Sequence, residues 1–377
     1  MRKTIPHVHR RLAERDCLRE LHPVHDGQAL PHGHDLQRHE RRRFASLRKQ
    51  APHGRGTGCG LQWHSRQAMC FLAVILLSAL LGCTSAPRRM HPPVDAPAGS
   101  EWIQGAQNVQ LYTSVLLPVG EPLGVVYLVL GPEVGTAPLY PKLTAALLRE
   151  GFAVMALHPR GTGYSTGLRG DLDDFRLFLA DHHQGLGRLR ERFGTKPIFV
   201  LGQSVGAAFA LELAATAKGA LAGMVLVNPA YQLRSSQGMT PSFSDYVAFA
   251  ANSVFRPSAL TVDMNSRPAA IEHPVDRAEA LAMQADPLVV RHFSMRFMMA
   301  QQKVMSRCPK NAAATKVPLL LVQGAQDALV DPRGTDEILT AAGSPDKTKR
   351  VAPQGGHGTS AVESQVEPIV YWLLAHR

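Results

Sequence analysis

Three residues of this chain carry types and settings suited to covalent chemistry. Ser204 lies in GQSVG, Gly202–Gly206, directly after the apolar run PIFVL and directly before a helical stretch that starts at Val205. A strand, a tight turn and a helix in that order, with small residues at both ends of the turn, hold a serine in a strained and exposed position. The helix amino terminus adds unpaired amides, Val205 N–H first among them, where negative charge would develop. A hydroxyl is a weak nucleophile until a base removes its proton, and the base needs an acid to orient it. His357 in APQGGHGTS supplies the base. Asp327, at the end of VPLLLVQGAQD and 30 residues earlier, supplies the acid, with room between them for one helix and one strand. Asp331, before Pro332, is the rival acid, whereas His292 lies in a helical run and is less well placed as a base. The chemistry implied is acyl transfer with a serine nucleophile.

Positioning such a set requires a sheet. Short apolar runs at Gly124–Leu130, Phe152–Leu157, Pro197–Leu201, Met224–Val227 and Val317–Val322 read as strands buried on both faces. Stretches long enough for helices separate them at Tyr140–Glu150, Leu172–Arg190 and Val205–Ala217. That alternation predicts an α/β fold with a mostly parallel sheet flanked by helices. Gln107–Pro118 could add an antiparallel hairpin in front. One interval breaks the rhythm: the 86 residues from Tyr231 to Lys316 exceed an ordinary connection and contain seven of the twelve Met. They are expected to form a helical cap, its Met serving either as core filler or as the lining of an apolar substrate pocket.

Together these residues resemble the α/β-hydrolase superfamily, within the group of monoglyceride lipases, lysophospholipases and serine aminopeptidases. The resemblance runs over about residues 105–375 and includes HPRGTGYSTG, His158–Gly167, and DPLVVR, Asp286–Arg291, in the cap region. It implies hydrolysis of esters or amides through an acyl-enzyme, with no cofactor or metal, and its triad falls on Ser204, Asp327 and His357. Two departures stand out. Where the family has His-Gly after its third strand this chain has LGPEVG. The position that would give the second oxyanion donor therefore falls on Pro132, which has no N–H. Losing one such donor costs about 3 kcal/mol of transition-state stabilisation, roughly 100-fold in rate. Gly131 or, after a register shift, Glu133 would then stand beside Val205 as the oxyanion residues. The other departure is His158, in place of the family's Asp, at a position peripheral to the chemistry.

The formal net charge of +11 is unevenly placed. Residues 1–68 hold 14 Lys/Arg against 6 Asp/Glu and 9 of the 17 His, while residues 83–377 hold 27 against 24. Without its first segment the chain lacks the excess of basic charge that nucleic-acid binding needs. Residues 1–68 show no sustained period and read as disordered or not translated; neither HVH at His7 and His9 nor HGHD at His32–Asp35 has the spacing of a four-ligand metal site. Met69–Gly82, MCFLAVILLSALLG, is too short to span a bilayer comfortably and suits the apolar region of a signal peptide. Its end, LLGC, resembles the lipobox of bacterial lipoproteins, which makes Cys83 the expected lipidated first residue. Residues 83–100 then form a Pro-rich tether, residues 101–230 and 317–377 the core, and residues 231–316 the cap. The expected location is the bacterial cell envelope, on the periplasmic side of the outer membrane. Only Cys83 and Cys308 remain in such a mature chain, so no disulfide framework is expected.

The leading functional expectation is a lipid-anchored serine esterase or lipase, taking acyl esters such as monoacylglycerols or lysophospholipids. A serine aminopeptidase is the second, with Glu272, Asp276 or Glu279 of the cap receiving a free amine. An inactive envelope binding protein is the third, and Pro132 is its argument.

Overall fold

A computed structural model describes residues 90–377 apart from 137–138, 173, 218, 220, 235–242 and 264–270. The expectations for residues 1–68, the apolar run at 69–82, Cys83, Met239 and Met264 fall outside the described residues.

The elements in chain order are β1 (Glu101–Gln104), β2 (Gln110–Leu116), β3 (Gly124–Val129), α1 (Pro141–Arg149), β4 (Phe152–Leu157), α2 (Phe175–Phe193), β5 (Ile198–Gln203), α3 (Val205–Thr216) and β6 (Gly223–Val227). There follow α4 (Phe243–Phe255), β7 (Leu260–Asp263), α5 (Pro274–Ala285), β8 (His292–Ser294), α6 (Met295–Met305) and α7 (Cys308–Ala314). The chain closes with β9 (Leu319–Gly324), α8 (Pro332–Ala341), β10 (Lys347–Ala352), α9 (Thr359–Glu363) and α10 (Val366–Ala375).

Eight strands form one sheet in the order β1-β2-β4-β3-β5-β6-β9-β10. Pairing is parallel from β4 through β10, and antiparallel only where β1 meets β2 and β2 meets β4. The hairpin begins earlier than the sequence suggested, because Gln107 and Asn108 take positive φ and turn the chain between β1 and β2. Successive side chains of a strand point to opposite faces, and here both faces are covered. Val125, Tyr127, Ile198, Val200, Met224, Leu226, Leu319 and Leu321 enter one apolar core. Val126, Leu128, Phe199, Leu201, Val225, Val227, Leu320 and Val322 enter the other, with α1 and α10. Such strands read as unbroken apolar runs. β10 differs: its sequence is KTKRVA, it sits at the edge, and four of its six residues are exposed.

The interval after β6 is more than the helical cap expected from sequence. It contains the two-stranded antiparallel pair β7–β8, which puts His292 in a strand and not in the helical run expected for it. Phe293, Phe297, Val304, Met305, Cys308 and Ala312, from its carboxyl-terminal third, belong to the same core as α3. Apolar spacing along α6 and the small side chains of α3 let the two pack closely, so this third serves the core rather than the cap. Met295 and Met305 are buried filler, while Met299 is exposed. Cys308 is a free, buried thiol that burial pushes up to about 12.

Candidate active site

The sheet delivers its reactive residues at the carboxyl ends of parallel strands. Ser204 follows β5 and precedes α3, with φ 54° and ψ −121°. Its N–H donates to Val227 O of β6 at 2.9 Å, which fixes the turn to the sheet. The glycines around it are demanded by close approach. A Cβ on Gly202 would lie 2.4 Å from Gly206 O, and one on Gly206 would lie 2.4 Å from Val129 O.

Asp327 follows β9 and is fully buried at its side chain. One carboxylate oxygen, Oδ1, accepts from Leu329 N at 2.8 Å and Val330 N at 2.9 Å. The other, Oδ2, lies 2.9 Å from His357 Nδ1, and His357 Nε2 lies 2.8 Å from Ser204 Oγ. An Nδ1–H donating to the carboxylate leaves Nε2 as the acceptor for the serine proton. The three residues named from the sequence therefore form one hydrogen-bonded line. Asp331 does not join it. It caps α8 by accepting from Arg333 N and pairs with the Arg333 guanidinium, which holds its carboxyl down to about 2.

The loop after β3 closes the other side. Gly131 packs on the elbow, its backbone placed so that a Cβ would lie 3.8 Å from Gly206 N and from Val205 Cβ. Pro132 is buried behind it. Val205 is the first residue of α3, so its N–H has no helical acceptor. Solvent reaches the Glu133 side chain, yet the surrounding protein crowds its carboxyl and raises it above the ordinary range; His357 opposes that rise and Glu279 adds to it.

Other residues hold the histidine loop, and the sequence reading passed over them. Asn228, at φ 45° after β6, donates from Nδ2 to Gly356 O at 2.8 Å and to His357 O at 3.0 Å, and accepts from Gly324 N at 2.7 Å. Gln203, which precedes the serine in the GQSVG turn, donates to His357 O at 2.5 Å. A polar amide closing one apolar strand and another directly after the next were the available signal. His158 lies apart from the triad: its Nδ1 accepts from Tyr164 N at 3.1 Å, its ring stacks on Tyr164, and burial lowers it to about 4. Among the described residues, no cluster of three or more His, Cys, Asp or Glu is placed to hold a metal ion.

The sequence pattern of the family described as "Serine aminopeptidase, S33" matches residues 120–364. Human monoglyceride lipase is 28% identical over 278 residues, 71% of this chain and 86% of that protein. The monoacylglycerol lipase of Mycolicibacterium smegmatis is 27% identical over 286 residues, 72% of this chain and 95% of its own. Among solved structures, the monoacylglycerol lipase of Paleococcus ferrophilus matches 71% of this chain and 99% of its own with a TM-score of 0.58 at 26% identity. A soluble variant of the Saccharomyces cerevisiae monoglyceride lipase, at 19% identity, shares the fold over 78% of this chain and 99% of its own with a TM-score of 0.62. With the elbow, the mostly parallel sheet and this family match in agreement, the chain belongs to the serine aminopeptidase (S33) family and is a serine hydrolase of the α/β-hydrolase fold, in the group that holds the monoglyceride lipases.

Proposed function

We propose that this serine ester hydrolase cleaves lipid-derived acyl esters, such as monoacylglycerols or lysophospholipids, through a covalent acyl-enzyme. The observation that carries the reading is the continuous line from Ser204 Oγ through His357 to Asp327, at 2.8 and 2.9 Å. In this mechanism His357 Nε2 takes the proton of Ser204 as its oxygen attacks the ester carbonyl. Asp327 keeps the ring oriented and stabilises its positive form. Val205 N–H holds one side of the oxyanion. Pro132 has no N–H to offer, so the second donor comes from the amide of Gly131 or Glu133. The protonated His357 then gives its proton to the leaving alcohol, and water, deprotonated by His357, releases the acid. A lipid-derived substrate is supported by the apolar side chains that the cap region leaves exposed, among them Phe249, Val254, Phe255, Leu260 and Leu281.

The amide-cleaving alternative needs a cap carboxylate free to meet an amine. Asp276 and Glu279 already accept hydrogen bonds from Ser360 and Thr359, which leaves only the exposed Glu272 of the three. Fluorophosphonate labelling of residues 84–377 beside Ser204→Ala, followed by turnover of monoacylglycerols, lysophospholipids and p-nitrophenyl esters of graded length, tests the reading. Labelling and ester turnover lost in the variant are expected. A folded wild type that neither labels nor turns over would overturn it in favour of an inactive binding protein.

The proposal extends to location. Cys83, acylated after removal of the preceding apolar run, would tether the enzyme to a bacterial envelope membrane, on the periplasmic side of the outer membrane. The LLGC motif and the Pro-rich stretch behind it support this. Intact mass of membrane-extracted protein is expected to show a lipidated amino terminus at Cys83, and a membrane-bound chain retaining Met1 would refute it.

A further inference from the structure

The loop that carries His357 is gripped from two sides, and one of the grips comes from the cap. From below, the Asn228 and Gln203 amides hold the carbonyls of Gly356 and His357. From above, α5 lays two carboxylates of its first half on the residues just past the histidine. Glu279 accepts from Thr359 N at 3.0 Å and from Thr359 Oγ1 at 2.5 Å. Asp276, 5% exposed, accepts from Ser360 N at 3.1 Å. His273, at the head of the helix, lies 3.0 Å through Nε2 from Gln354 O. The approach is so close that side chains are excluded from the loop. A Cβ on Gly356 would lie 2.2 Å from Asp276 Oδ2, and one on Gly358 would lie 2.8 Å from Glu279 Oε2. Neither glycine has a positive φ, so proximity to the cap is what calls for them.

The far end of the same helix grips the opposite loop. Asp286, the residue that ends α5, accepts from Thr136 N at 2.6 Å and Thr136 Oγ1 at 2.7 Å in the loop that continues from Gly131. A Cβ on Gly135 would lie 2.5 Å from Asp286 Oδ2. A helix of twelve residues spans about 18 Å, so α5 bridges the site from the base to the oxyanion side. Asp276 and Glu279 on one side and Asp286 on the other thus direct their carboxylates to the two loops that flank Ser204.

We propose that α5 is a positioning element for catalysis: Asp276 and Glu279 set His357 through Thr359 and Ser360, Asp286 sets the oxyanion loop through Thr136, and the catalytic geometry is complete only while the cap is seated. None of the three carboxylates touches the reacting atoms. The inference rests on the serine-hydrolase reading above for its link to catalysis.

The test uses turnover per active site, with sites counted by fluorophosphonate burst titration, because misfolding lowers the count and mispositioning lowers the turnover. Glu279→Ala is expected to reduce kcat per titrated site about 10–100-fold with KM for p-nitrophenyl butyrate within about twofold, the signature of an interaction needed at the transition state. Glu279→Gln, whose amide oxygen still accepts from Thr359, is expected to recover most of that loss. Should Glu279→Ala fail to fold, Thr359→Val removes only the hydroxyl and is expected to lower kcat several-fold, with no further loss when combined with Glu279→Gln, as coupled neighbours behave. Unchanged kcat per titrated site in Glu279→Ala, or in Thr359→Val where the first does not fold, would overturn the proposal. If the wild type itself neither labels nor turns over, the hydrolase reading fails separately. Amide hydrogen exchange over residues 356–360 then decides, with faster exchange in Glu279→Ala or Thr359→Val expected and unchanged exchange refuting the grip.

Discussion

The elbow under Ser204 and the loop around His357 are both built on glycines, but the neighbours that demand those glycines differ. Gly202 and Gly206 are pressed by the backbone of their own turn and of β3. Gly356 and Gly358 are pressed by carboxylates from α5. The nucleophile is therefore set by the sheet and its adjoining helix, and no cap residue is needed to place it. The base is set jointly, by two amides of the core and two carboxylates of the cap. An enzyme arranged in this way keeps its serine ready at all times and makes the alignment of its base depend on a more peripheral layer.

The largest effects test whether the two regions form one machine. Ser204→Ala is expected to abolish fluorophosphonate labelling and reduce kcat by about 10⁶-fold, and Asp327→Asn by about 10⁴-fold, both readable in ester hydrolysis. Next comes the contrast between the glycines. Gly206→Ala drives a methyl into the rigid carbonyl of Val129 and is expected to cost about 2–4 kcal/mol, measured as a fall in denaturation midpoint, together with activity. Gly358→Ala meets only the ends of flexible side chains, Glu279 and Asp276. It is expected to lose kcat about 10-fold with a stability change of about 1 kcal/mol or less. Equal destabilisation by the two substitutions would erase the distinction between a core-set nucleophile and a jointly set base.

Acid should separate the layers as well. Burial lowers His182 to about 3 and His158 to about 4, so both stay neutral in the folded core while unfolded imidazoles protonate near pH 6.5. Stability is therefore expected to fall as pH drops from about 6.5 toward about 4, by a few kcal/mol, in thermal melts. Burial pushes the Asp286 carboxyl up, but hydrogen bonds from Thr136 and the Leu288 amide outweigh it and leave the group below its ordinary value. Its contribution is present above the unfolded carboxylate range and is lost only as pH falls below it. Core melting should consequently weaken with acid before this cap contact does, and the reverse order would contradict the assignment of the two layers. The smallest effect concerns the rejected acid: Asp331→Asn keeps a helix cap, gives up an exposed pair with Arg333, and is expected to leave kcat unchanged and stability within about 0.5 kcal/mol.

Much of this arrangement was legible in the chain itself. Buried parallel strands are continuous apolar runs, and an elbow must join a strand to a helix, so Ser204 and the strand end carrying Asp327 could be placed from pattern; His357 was legible from its Gly-rich loop before a terminal helix, because the strand ahead of it, KTKRVA, is not an apolar run. The separation of 30 residues correctly left room for α8 and β10. What escaped were partnerships formed across long sequence distances. The place of Asn228 after an apolar strand marks it without naming its partners, and nothing local identifies Glu279 and Asp276 as clamps rather than receptors for an amine. The length of the interval after β6 and its Met content point to a helical cap over the whole of it; its final third joins the core because Phe297, Val304 and Met305 find the small-residue helix α3 beneath them.

β10 is the last strand of the sheet and lies at its edge. A sheet that stops at a straight edge offers unpaired backbone groups to any neighbour, and the aligned, fully buried strands beside it show how readily this sequence makes parallel pairs. Lys347, Lys349 and Arg350 occupy that last strand. A second copy adding there would set like-charged side chains on facing strands, their Cβ atoms about 5 Å apart where they pair directly, so the same residues that end the sheet also discourage one molecule from becoming the template for the next.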